Sequence, residues 1–86
     1  SDLLRYNQMK GQQPVRLSDV VPTLPEGEKL TATDKGIETL DYVNWNASKI
    51  KLINLQFNNI ETLRGLGQFG NLQGIDLSNN NVSRSF

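Results

Sequence analysis

A segment of this chain recurs at a fixed interval. Ile50-Lys-Leu-Ile53-Asn-Leu55-Gln-Phe-Asn58-Asn-Ile60 returns 22 residues later as Leu72-Gln-Gly-Ile75-Asp-Leu77-Ser-Asn-Asn80-Asn-Val82. The tetrapeptide Ile-Glu-Thr-Leu also occurs twice, at 37–40 and 60–63, a spacing of 23. A period of this length predicts a stack of short similar units, because one such unit cannot bury its apolar side without neighbours on which to pack. The expected product is a surface of repeated side chains, which suits binding better than chemistry.

Ile50 to Asn71 reads as one complete unit. Ile53-Asn54-Leu55 alternates apolar and polar residues, as a short strand with one buried face does. Asn58 falls where the chain must turn away from that strand. Its amide both donates and accepts, so Asn58 and Asn80 are expected to form a structural ladder that satisfies backbone groups at the bend. Ile60, Leu63, Leu66 and Phe69 are then expected to bury one side of a helical or irregular return arm. Gly65, Gly67 and Gly70 are read as keeping that arm compact.

The string Asn-x-Ile-x-x-Leu-x-x-Leu and the 22-residue spacing resemble the leucine-rich repeat family. They are most similar to the short intracellular class found in phosphatase-regulator and spindle-pole scaffold proteins. The resemblance covers roughly residues 30–83 and implies an α/β solenoid: a short stack of about two and a half units with parallel strands and an extended N-terminal flank. The organisation that follows is a flank or cap over 1–28 and repeats over 29–86, read as part of a longer array.

The first unit departs from the pattern. Leu30, Ala32, Ile37, Leu40 and Val43 keep the register, but Lys35 stands in the asparagine column, and one extra residue enters between Leu40 and Ile50. Atypical terminal units are expected in such stacks. In the third unit Ser85 replaces an apolar residue, which reads as truncation or the start of a terminating segment. An array of this length is expected to continue or to be capped by a partner.

Composition narrows the function. Nine basic and nine acidic residues cancel and are scattered, so neither nucleic acid nor an anionic membrane is an expected partner. There is no cysteine, which favours a cytoplasmic or nuclear setting over the cysteine-capped secreted repeats. On that basis the acceptor triplets Asn46-Ala-Ser48 and Asn81-Val-Ser83 are expected to stay unmodified. Histidine is absent too, removing the commonest metal ligand and general base. No cofactor, metal or enzymatic activity is expected. Gly65-Leu-Gly67-Gln-Phe-Gly70 matches the letters of a dinucleotide-binding fingerprint, but it is not framed by a buried strand and a following helix, and Leu66 and Phe69 fall on core positions of the repeat.

The flank lacks the repeat. Leu3, Leu4, Tyr6 and Met9 suggest a helical turn or two ending near Gly11. Pro14, Pro22 and Pro25 predict an extended stretch beyond it. That stretch is expected to cover the open edge of the first unit, with docking on another chain or domain as the alternative.

In the family, residues flanking the buried strand positions line a concave face. Here that implies Lys51, Leu52, Asn54, Gln56 and Phe57 as partner-binding positions, followed by Gln73, Gly74, Asp76, Ser78 and Asn79 in the next unit, and Lys29, Thr31, Thr33 and Asp34 in the first. Leu52 and Phe57 are apolar where the pattern expects solvent. Phe57 serves either as an anchor for a partner or as local packing over the ridge. Trp45 is expected to fill the core. The functional expectation is a scaffold or interaction module that binds another protein. The alternative is a self-assembling element that pairs through its open repeat edge or an exchanged N-terminal arm.

Overall fold

The computed structural model describes residues 13–82. The sequence expectations for 3–11, Ser83 and Ser85 therefore lie outside the described residues. The element order is a short helix α1 (Leu17–Val20), strand β1 (Lys29–Thr31), a 3-10 turn (Ala47–Lys49), β2 (Leu52–Asn54), a second 3-10 turn (Leu66–Gln68) and β3 (Gly74–Asp76). The three strands form one parallel sheet in the order β1-β2-β3. Leu30 pairs with Ile53 and Ile53 with Ile75, intervals of 23 and 22 residues. These are the intervals of the sequence repeat.

The bonds between units recur at the same interval. Lys51 and Leu52 N–H donate to Glu28 O, and Gln73 and Gly74 N–H donate to Lys51 O. Ala32 N–H donates to Asn54 O, and Leu55 N–H to Asp76 O. The repeated Ile-Glu-Thr-Leu segments make a second, smaller ladder: Arg16 pairs in parallel with Thr39, and Thr39 with Thr62. Two ladders hold each unit on its neighbour, one at the sheet and one on the return path.

The core lies between them. Leu30, Ile37, Leu40, Ile50, Leu55 and Ile60 are fully buried, and Ile53 and Phe69 nearly so. Burying an aliphatic side chain of this size contributes roughly 1.5–3 kcal/mol. The return path is irregular with a single 3-10 turn. Leu63 and Leu66 are only half-buried, so Ile60 and Phe69 carry the burial that the spacing had spread over four positions. Trp45 is likewise half-buried. Its indole N–H donates to Val21 O at 2.9 Å, and its ring meets Phe69 at 6.4 Å between centroids, tilted by 58°.

The flank is not wholly extended, because Leu17–Val20 makes one helical turn. The prolines flank this turn rather than interrupt it. Asp19 closes its start by accepting Arg16 N–H at 3.0 Å and the Arg16 guanidinium at 3.4 Å. The Arg16 N–H bond, and then the guanidinium, hold the Asp19 carboxyl below its usual range. Leu17 is fully buried and its N–H donates to Thr39 O, while Val15 O accepts from Glu38 and Thr39 N–H. The described part of the flank thus packs on the first unit. Among the described residues no helix is long and apolar enough to cross a membrane.

Candidate functional site

The strand face is built in rows by the parallel register. Lys29, Leu52 and Gly74 form one row, and Thr31, Asn54 and Asp76 the next. Beyond the strands, Asp34 N–H donates to Gln56 O at 3.2 Å and Phe57 N–H to Ser78 O at 3.1 Å. Those bonds stack Asp34, Phe57 and Asn79 as a further row. A shallow groove of ≈ 330 Å³ runs along the strands, lined by Lys29, Leu52, Asn54, Gly74 and Asp76 among others.

Two apolar residues stand out of this face. Leu52 is 47% exposed and Phe57 57% exposed. Leu52 leans toward the space left by Gly74, where a Cβ would sit 3.3 Å from Leu52 Cδ2. Phe57 does not fold back over the ridge. Its backbone lies in the left-handed region, φ 60°, as do Asp34 at 55° and Asn79 at 61°. Aspartate and asparagine adopt that conformation readily, whereas a bulky side chain there is an outlier.

Several positions expected to face a partner also serve their own backbone. Asn54 Oδ1 accepts Gln56 N–H at 3.1 Å. Asp76 Oδ1 accepts Ser78 N–H at 2.9 Å and the Ser78 hydroxyl at 2.6 Å. The two residues make the same turn in successive units. Lys51 is half-buried and pairs with Glu28 at 3.1 Å, a surface contact of small worth. Gln56 is half-buried; Ser78 and Asn79 are exposed.

The turn at Asp76 has a pH signature. The Ser78 hydroxyl, and then the Ser78 N–H, hold the Asp76 carboxyl below its ordinary value of 3.8. A depressed carboxyl contributes stability that is complete above the unfolded value and lost as pH falls through the folded one. Stability is expected to decline below pH ~4. Asp76→Asn keeps an acceptor for the turn, as Asn54 does natively, and is expected to remove part of that acid sensitivity. Acid titration followed by circular dichroism checks this; an unchanged acid limb would show that the Asp76 bonds do not contribute.

The asparagine column lies beneath this face. Asn58 is buried; its Nδ2 donates to Ala32 O at 2.8 Å and Leu55 O at 2.9 Å, and its Oδ1 accepts Lys35 N–H at 3.0 Å and Ile37 N–H at 3.1 Å. Asn80 does the same one unit on, donating to Leu55 O and Leu77 O and accepting Ile60 N–H. Each asparagine therefore binds the unit before its own. The first unit has only the flank before it, and there Lys35 is exposed.

No repeat signal singles out Gln68 in the sequence. Its Oε1 accepts Val43 N–H at 2.9 Å, and its Nε2 donates to Gly65 O at 2.8 Å and to Asp41 O. It fastens the return path of the second unit to the segment of the first that holds the extra residue. Gly65 packs there too, with φ 94°, whereas a Cβ at Gly67 or Gly70 would meet nothing within 4 Å. Of the three glycines read as keeping the arm compact, only Gly65 is constrained by a neighbour.

Among the described residues no group of three or more His, Cys, Asp or Glu is placed to hold a metal ion. The sequence matches no protein-family model, no curated protein and no solved structure.

Proposed function

We propose that this chain is a short leucine-rich repeat stack that serves as a protein-interaction module, binding a partner protein through the strand face. The observation that carries this is the pair Leu52 and Phe57, left exposed on a face whose opposite side is buried at Leu30, Ile53 and Leu55. Phe57 adds a second cost, since its backbone conformation disfavours a bulky side chain by about 1 kcal/mol. An aromatic that is exposed and strained is better explained by a partner that buries it. The repeated Asn58 and Asn80 bonds and the 22–23-residue register support the repeat architecture, and the face would correspond to the concave side of that family. The setting proposed is cytoplasmic or nuclear, with no catalytic role, no cofactor and no nucleic-acid or membrane partner.

Phe57→Asn tests this directly, because asparagine suits the left-handed backbone. The variant is expected to be more stable by roughly 0.5–1 kcal/mol while losing the specific proteins that wild type retains from a cell extract. Leu52→Ser is expected to weaken the same captures. Retention of the same proteins by both variants would overturn the strand-face assignment.

A second possibility is self-association through the outer edge of β3. It is favoured by the burial pattern, since Ile75 and Leu77 are half-buried where their counterparts Ile53 and Leu55 are buried. Sedimentation over a range of concentrations separates the two: a strictly monomeric, folded chain excludes pairing by this edge.

A further inference from the structure

The strand face carries opposite charges at its two ends. Lys29 begins the first row, next to Leu52, while Asp34 begins the row of Phe57. Asp76 stands in the row of Thr31 and Asn54, with its carboxylate tied to Ser78. The ion pairs found among the described residues are Arg16–Asp19 and Lys51–Glu28, so neither Asp34 nor Asp76 is neutralised within the described structure. Asp34 is exposed and neighbours Phe57 in its row with the same left-handed backbone, about 4.8 Å away along the backbone bonding direction.

A partner that buries Phe57 must also strip water from Asp34. A purely apolar occupant would leave that carboxylate desolvated and unpaired, at a cost of the order that cancels an aromatic contact. An acidic occupant would be repelled. A cation offsets the cost and gains from the ring as well, because the π face of an aromatic attracts positive charge. We propose that the partner segment presents a cationic side chain, foremost an arginine, which lies on the ring of Phe57 against the Asp34 carboxylate. This rests on the strand face being the binding face, and it adds the chemistry of what is bound.

The probe is N-acetyl-arginine amide, compared with the norleucine and glutamate amides, titrated at low ionic strength into the isotopically labelled whole chain. The arginine amide is expected to shift the Phe57 ring protons and the Asp34 and Asn79 amides saturably. Asp34→Asn, which keeps the backbone conformation, is expected to weaken that binding about tenfold, and Phe57→Asn to abolish it. Equal shifts from the norleucine amide, or arginine shifts centred on Glu38 and Glu61, exposed neighbours on the return path, would overturn the proposal. Loss of captured proteins with Phe57→Asn alongside a negative amide titration would leave the strand-face function standing and sink this inference alone. Specific arginine binding alongside unchanged capture would overturn both, since the cation site would then not be where the partner binds.

Discussion

Asn58→Ala is expected to destabilise the chain by at least about 3 kcal/mol, enough to unfold a small stack of this kind at ambient temperature. The side chain is buried and serves five backbone groups: Ala32 O, Leu55 O, Gln56 O, Lys35 N–H and Ile37 N–H. Alanine leaves Ala32 O, Lys35 N–H and Ile37 N–H without that partner where water has little access, while Leu55 O keeps its bond from Asn80 Nδ2, and each unpaired buried group costs about 1–3 kcal/mol before relaxation. Asn80→Ala makes the internal control. Asn80 is half-buried, and its Oδ1 takes one N–H rather than two, so a loss of roughly 1–2 kcal/mol is expected. Urea denaturation of both variants, followed by far-ultraviolet circular dichroism, gives the comparison. Equal losses at the two positions would mean that burial does not set the strength of the column.

Gly65→Ala is expected to be comparably damaging for a steric reason. A Cβ at residue 65 would stand 2.3 Å from Asp41 O and 2.8 Å from Asp41 C, both backbone atoms that cannot rotate away. The residue also holds φ 94°, which an L side chain rarely adopts. Separating the two return paths would also pull on the Gln68 bonds to Val43 and Asp41. The expected cost is about 3 kcal/mol or more. Gly67→Ala and Gly70→Ala are expected to stay within about 0.5 kcal/mol, since nothing lies near either added methyl. Thermal melts of the three variants test the ranking, and a tolerated Gly65→Ala would mean that the return paths are not in contact.

Features that recur by unit were legible in the sequence. Asn58 and Asn80 were placed by column, and so were the buried Ile53 and Leu55, because every unit solves the same problem with the same residue type. Contacts made once were not legible. Gln68 answers the extra residue between Leu40 and Ile50, and a repeat pattern carries no information about a position that it lacks. The α1 turn was hidden for a related reason. Prolines around residues 14–25 suggested extended chain, whereas the turn depends on the local Arg16–Asp19 closure and on the burial of Leu17 against the first unit. The strain at Phe57 was available to a column-wise comparison: Asp34 and Asn79, its neighbours in register, are residue types that accept the left-handed region. The exposure of Leu52 and Phe57 was left open by sequence, because period alone does not say whether a ring folds back on its own ridge.

The register has a mechanical consequence. Neighbouring strands are joined only to the strand 22 or 23 residues away. A load applied to the two ends of the chain is therefore resisted by one layer at a time rather than by all layers together. Under tension the outermost layer would peel first, and its release would return roughly 75 Å of slack at about 3.4 Å per residue before the next layer bears the load. The stack would lengthen in steps of one repeat, so that extension becomes a count of layers still closed.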